Sequence, residues 1–243
     1  MDNFTYTGVT QLEVMAQATN YFKFLSGILK KYIEPEDHVI DFGAGIGTFA
    51  ATVGAITPHL TCVDIDNDLL AALTARGLKA VKNLNSISPE SQDLIYGFDV
   101  LEHIEQDQDI INQWYQLLKP GGRVIIYTPA FSILYGVMDK RIGHYRRYRA
   151  RNLRNLLTVA GFEKIHTEYV DSLGFFGSLV YKWVYGRNGD LKWGPVKFYD
   201  QNVFPVSRKI DHLTHNILGK NVLAIGRKPF SQGAESTTPT RPQ

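Results

Sequence analysis

The segment Asp41-Phe42-Gly43-Ala44-Gly45-Ile46-Gly47 is the sharpest chemical signal in the chain, and Asp64 follows it further on. Glycines at this density let a backbone turn tightly and approach a ligand, with the amides of a following helix facing it. A dinucleotide-binding loop would need its third glycine at position 48, where the chain has Thr48, so the hydride-transfer reading weakens. Asp41, two residues before the first glycine, would repel a pyrophosphate but suits a ligand bearing an ammonium or sulfonium. The second signal is a pair of histidines. His103 lies four residues beyond Asp99, and His144 stands in Gly143-His144-Tyr145-Arg146-Arg147-Tyr148. A histidine has the pKa range for removing a proton near neutral pH, and adjacent arginines can grip a phosphate or carboxylate bidentately. Cys62 is the only thiol and falls in a predicted strand interior, which demotes covalent thiol catalysis.

These groups need elements to hold them. Short β-branched apolar runs alternate with amphipathic stretches over the first two thirds, the pattern of βα repeats in a largely parallel sheet. Residues 38–42 read as strand one, followed by the glycine turn and a helix from about Thr48. Residues 59–64 form strand two, 67–76 its helix with Gly77 as the stop, and 79–81 a short third strand. Strand four covers 93–98, a helix runs from about 106 to 118 and stops at Lys-Pro-Gly-Gly, and strand five covers 123–128. A helix over 151–160, strand six over 162–169 and a final strand over 222–226 complete the pattern. Helical spacing from Gln11 to Ile33 predicts an N-terminal cap over 1–34. Segments 130–150 and 171–219 should cover the acceptor side as caps or lids, within one domain spanning 1–230. The Ser-, Thr- and Pro-rich tail 231–243 is expected to be disordered.

In this order and spacing, the motifs from about residue 35 to residue 130 resemble the class I S-adenosylmethionine-dependent methyltransferases. Asp99-Val100-Leu101-Glu102-His103 and Leu118-Lys119-Pro120-Gly121-Gly122 are similar to segments of the subgroup that includes the ubiquinone-biosynthesis enzymes. The resemblance implies a Rossmann-like α/β fold with a mostly parallel seven-stranded sheet, helices on both faces and S-adenosyl-L-methionine as cofactor. It implies that Asp41, Gly43, Ala44, Gly45 and Gly47 hold the methionine end. Asp64 would take the ribose hydroxyls, and Ile65 would lie against adenine. Asn83 and Leu84 would meet the adenine edge, where Asn replaces a commoner Asp, and Phe98 completes the cofactor set. Methyl transfer is a one-step displacement, so the protein must align the acceptor and, for a hydroxyl, remove its proton. His144, His103 and Tyr145 are the candidate catalytic residues, and Arg146, Arg147, Tyr148 and Trp183 the candidate acceptor contacts. No carboxylate cluster for a divalent metal is evident, so a metal-free mechanism is expected. The strand-four exit, Tyr96-Gly97-Phe98-Asp99, does not resemble the signature of exocyclic-amine methyltransferases.

The chain has 243 residues, 44% hydrophobic and 21% charged, which fits one large folded domain. A single cysteine and the lack of a basic-then-apolar leader point to a cytoplasmic protein. Net charge is only +2, but Lys140 to Arg154 contains seven basic residues and no acidic one. That run keeps an RNA-directed methyltransferase as an alternative, although no nucleic-acid module is evident. A noncatalytic S-adenosylmethionine binder is a second alternative, one that would not need the histidines. The favoured acceptor is a small molecule, glycolipid, saccharide or specialised metabolite, methylated at a hydroxyl, amine or carboxylate. Aromatic crowding from Phe175 to Phe204 suggests an amphiphile with an anionic group near Arg146 and Arg147, and an approach to a membrane surface, unless that segment only caps the core.

Overall fold

Alternate residues of each inner strand face opposite sides of the sheet, and the burial follows that period. Val39, Cys62, Leu94, Tyr96, Ile125 and Tyr127 join one apolar cluster, while Ile40, Val63, Ile95, Val124 and Ile126 join the other. The computed structural model describes residues 18–185 and 193–230. The expected helix start at 11–17, the tail 231–243 and residues 186–192 of the long insertion lie outside them.

Seven strands pair in the order β3-β2-β1-β4-β5-β7-β6. They are β1 Val39–Phe42, β2 Leu60–Val63, β3 Lys79–Val81, β4 Gln92–Phe98, β5 Leu118–Pro129, β6 Glu163–Val170 and β7 Asn221–Arg227. All neighbours are parallel except β7, which runs antiparallel to both β5 and β6. Helix α1, Thr19–Tyr32, covers the first face with Leu25, Ile28 and Leu29, and short α2, Ala50–Gly54, lies beside it. The second face is covered by α4, Asp107–Leu117, and α6, Ala150–Ala160, through Trp114, Leu153 and Leu157. Between β2 and β3, α3 (Asn67–Ala75) starts at Asp66, whose carboxylate accepts from the Asp68 and Leu69 amides, as an N-cap should. Gly161 ends α6 in the left-handed conformation that favours glycine.

Lys-Pro-Gly-Gly does more than stop a helix. β5 begins at Leu118, five residues before the predicted start, and its register with β4 shifts between the Gln92–Leu118 and Leu94–Arg123 pairs. The extra residues bulge out, with Gly121 at a positive φ of 82°.

Past β5 the chain forms α5, Val137–Arg141, and returns through residues 142–149. After β6 come α7, Ser172–Tyr185, α8, Trp193–Phe198, a π-helical turn over Tyr199–Val203, and α9, Phe204–Thr214. Buried aspartates tie these elements down. Asp211 accepts from the first amides of the α7 segment, Asp171 and Ser172, both at 2.8 Å. Asp200 accepts from the Asn20 and Tyr21 amides at 3.0 and 2.9 Å, so α1 receives its N-terminal cap from a residue about 180 positions away.

Candidate active site

Strand order reverses between β1 and β4, and the loops leaving β1, β4 and β5 meet at the carboxyl edge there, where open α/β sheets bind ligands. They surround one cavity of about 1850 Å³. That volume exceeds the roughly 300–1,000 Å³ of a typical small-ligand pocket, and leaves room for two ligands.

The cofactor-side expectations converge on this cavity. Gly43 and Gly45 have φ of +75° and +54°, conformations an L side chain rarely takes. A Cβ on Gly43 would stand 2.5 Å from Val100 Cγ2, so the loop approaches the β4 exit as closely as it can. The Gly43 and Ala44 amides donate to Val63 O, and the Gly45 amide donates to Asp64 Oδ2 at 2.8 Å. Asp64 Oδ1 accepts from the Asp66 amide at 3.0 Å. One carboxylate thus locks the glycine loop to the end of β2. Asp41, Ile65, Asn83, Leu84 and Phe98 also line the cavity. Asn83 bonds the Asn85 amide, and Phe98 packs edge-on against Phe49. Gly47 is different. It does not line the cavity, and its missing Cβ makes room for Leu73 of α3.

Asp41 is 3% exposed, and its Oδ2 has no hydrogen-bond partner; nor has the hydroxyl of neighbouring Tyr96. Burial pushes the Asp41 carboxyl up to about 7, with the nearby Tyr96 hydroxyl opposing and Asp64 adding to the rise. A buried, orphaned carboxylate oxygen beside a glycine cradle fits a cationic ligand group better than a phosphate.

On the acceptor side, His144 and His103 come together with their rings edge-on and centroids 4.5 Å apart. His144 Nδ1 lies 2.8 Å from Asp139 Oδ1, a contact that suits an Nδ1–H donor, and Nε2 lies 3.7 Å from Glu102 Oε1. Arg147 grips the same Asp139 carboxylate through Nε and Nη2 at 2.8 and 3.1 Å, and the Gly136 amide adds a bond at 2.8 Å. Burial alone would raise Asp139, but the His144 and Arg147 bonds hold its carboxyl down at about 2. Glu102 is fully buried; its Oε2 accepts from Thr128 Oγ1, while Oε1 is unpartnered and 3.7 Å from His144 Nε2. Burial drives the Glu102 carboxyl well above its usual range, and the Asp99 carboxyl up as well. Burial, together with His144, lowers His103 to about 4. Glu102, His103 and His144 each offer a metal-ligating atom within 4.8 Å of the others, a grouping the sequence reading did not anticipate.

Several acceptor-side expectations are corrected by their positions. Arg146 does not line the cavity; it ion-pairs with Asp107 at 2.9 Å and bonds Glu105 O. Tyr148 is buried and donates to Asp107 Oδ2 at 2.8 Å, closing the 130–150 segment onto the end of β5. Trp183 is 89% exposed and outside the cavity. Arg147 and Tyr145 do line it. Arg154 bonds Ile165 O and Thr167, so much of the basic run is engaged internally rather than presented as a phosphate footprint. Residues assigned no chemical role from sequence are Asp139, Glu102 as a side chain, and Tyr21, whose hydroxyl donates to Asp99 Oδ2 at 2.7 Å. Asp139 sits five residues before His144 in a basic run, which is the one local signal that could have found it.

A family described as "Methyltransferase domain" matches residues 14–167. Phosphoethanolamine N-methyltransferase 2 of Caenorhabditis elegans is 27% identical over 161 residues, covering 58% of this chain and 36% of that protein. A ubiquinone biosynthesis O-methyltransferase of Xylella fastidiosa is 28% identical over 100 residues, 37% of this chain and 41% of its own. Among solved structures, Haemonchus contortus phosphoethanolamine N-methyltransferase 2 in complex with S-adenosyl-L-methionine superposes with a TM-score of 0.63. That match has 18% identity and covers 92% of this chain and 58% of the other. The chain spans about a third to two fifths of the length of these two curated relatives. The chain belongs to the methyltransferase-domain family, which matches more than half of it, and shares the fold of that solved methyltransferase.

Proposed function

Starting from that membership, we propose that the protein methylates a hydroxyl group of a small amphiphilic molecule, with His144 as the general base. S-adenosylmethionine, when bound, supplies a methyl group on a sulfonium centre. Asp41 and the Gly43–Gly45 loop would hold its methionine end, Asp64 its ribose hydroxyls, and Ile65, Asn83, Leu84 and Phe98 its adenine. The single observation that carries the acceptor chemistry is the Asp139–His144 pair. With Nδ1–H held by Asp139 at 2.8 Å, Nε2 is left as the acceptor nitrogen inside the cavity. Proton transfer to Nε2 would create an imidazolium, and the ionised Asp139 at 2.8 Å stabilises that charge. Arg147 acts as a positioning residue by fixing Asp139. The apolar part of the acceptor would lie against Leu134, Val137, Met138 and Tyr181, which line the same cavity. A cytoplasmic setting belongs to the same reading, and the lone buried Cys62, with no disulfide to form, supports it.

A second reading has a specific observation behind it. Glu102, His103 and His144 form a two-histidine, one-carboxylate set with an unpartnered glutamate oxygen, so a divalent cation held there could activate the hydroxyl instead. The test of the main reading is transfer of label from methyl-labelled S-adenosylmethionine to fractionated amphiphiles. The wild type should label a hydroxyl-bearing fraction and His144→Ala should not. Equal labelling by His144→Ala across a pH series would remove the base assignment.

A further inference from the structure

Helix α7 is built the wrong way round for a helix that only caps a core. The residues it turns to the cavity are small or polar: Gly174, Gly177, Ser178, Tyr181 and Lys182. On the opposite side Phe176, Val180 and Trp183 recur at spacings of four and three, one stripe of the helix, and are 53%, 61% and 89% exposed. Ile133, 61% exposed, stands beside that helix, where the Lys182 ammonium donates to its carbonyl.

The stripe is part of a larger asymmetry. Segments 130–150 and 171–219 make up less than a third of the chain, yet they carry ten of the thirteen large apolar side chains exposed among the described residues. Their charges are sorted as well. The four described carboxylates of these segments, Asp139, Asp171, Asp200 and Asp211, are all buried, at 3%, 4%, 4% and 2% exposure, and bonded inward. The cations Lys140, Arg149, Lys182 and Lys209 are exposed, Lys140 and Lys182 at the cavity rim and Arg149 over the Phe131 ring. An outer face that shows apolar side chains and positive charge, with every described carboxylate withdrawn, complements an anionic lipid surface. Nucleic acid would match the charge but not the apolar stripe.

We infer that this face, centred on Phe176, Val180 and Trp183, docks on an anionic membrane surface and sets α7 between the lipid and the cavity. No described helix is long and apolar enough to cross a bilayer. The glycines and serine of α7 make the cavity wall thin where it faces the lipid. This inference deepens the amphiphile reading and rests on it only for where the acceptor comes from; docking is measured without turnover.

The experiment is flotation of the purified chain with phosphatidylglycerol-containing vesicles and with pure phosphatidylcholine vesicles. Binding should favour the anionic vesicles at least tenfold and fall with added salt. Tryptophan emission should shift to the blue on binding, and Trp183→Phe should abolish the shift. Val180→Glu and Trp183→Glu should each weaken flotation at least tenfold. Calorimetric affinity for S-adenosylhomocysteine should stay unchanged in both, which checks the fold and separates failure of this inference from failure of the cofactor assignment. Equal binding to neutral vesicles, or flotation indifferent to both substitutions, would overturn it. So would a concentration-dependent dimer that Trp183→Glu dissociates, or retention of the chain by RNA with no vesicle binding.

Discussion

Asp41→Asn should make the empty protein more stable and the cofactor weaker, two opposite effects from one atom change. In the empty cavity, burial lifts this carboxyl from 3.8 to about 7. At 1.36 kcal/mol per tenfold, its ionised form is then about 4 kcal/mol costlier there than in water. Between those two values the unfolded chain has lost the proton and the folded one keeps it, so stability falls as pH rises through that window and stays low above it. Asparagine removes the charge but leaves a buried amide short of partners, at about 2 kcal/mol. The net gain at pH 8 is therefore about 2 kcal/mol, or roughly 5 °C in Tm for a chain of this size. For the cofactor the sign reverses. An ammonium or sulfonium binds the ionised form, so wild-type binding at pH 6 should release about 0.9 proton, and almost none at pH 8. Calorimetry of S-adenosylhomocysteine in buffers of different ionisation enthalpy counts those protons. Asp41→Asn should lose both the proton release and at least tenfold in affinity. Binding by wild type with no proton release at pH 6 would refute the reasoning.

Asp64→Ala should weaken cofactor binding by about 2 kcal/mol or more, because the side chain holds the Gly45 amide as well as the expected ribose hydroxyls; an equilibrium titration with S-adenosylhomocysteine measures it, and unchanged affinity would contradict the assignment. His144→Ala should lower kcat about a hundredfold with cofactor affinity intact, and Asp139→Asn should lower kcat while changing its pH profile. Arg147→Ala should reduce kcat as well as raise the acceptor KM, because its guanidinium is committed to Asp139. Dialysis against a chelator should leave turnover unchanged on the acid–base reading; a loss restored by one divalent cation would transfer the role to Glu102, His103 and His144.

The glycine-loop side of the candidate site was legible because its signals are local. Gly43 to Gly47 are contiguous, Asp64 ends the next strand, and the positive φ angles that require glycine are properties of single residues. The inner strands were legible for the same reason, since the apolar run of a strand buried on both faces is written in consecutive residues. The acceptor half depends on pairings between distant segments, and there residue type alone misled. Arg146 and Arg147 are adjacent and chemically identical, yet one turns out to Asp107 and the other in to Asp139, because Tyr148 zips the returning chain onto Pro129 and fixes which side each faces. Trp183 read as an acceptor contact because aromatic crowding cannot say which face of a helix meets the ligand. The answer lies in the small residues between the large ones. Gly174, Gly177 and Ser178 are cavity wall because Gly174 lies against Asp171 and Tyr199, where a Cβ would meet the Asp171 carboxylate. Close packing leaves no room for a side chain at Gly174, and Phe176, Val180 and Trp183 lie on the opposite, exposed side. The composition of α7 is thus a consequence of two surfaces meeting on one helix: a tight, polar, inward one and an apolar outward one. Stability alone would favour replacing the outward residues with polar ones.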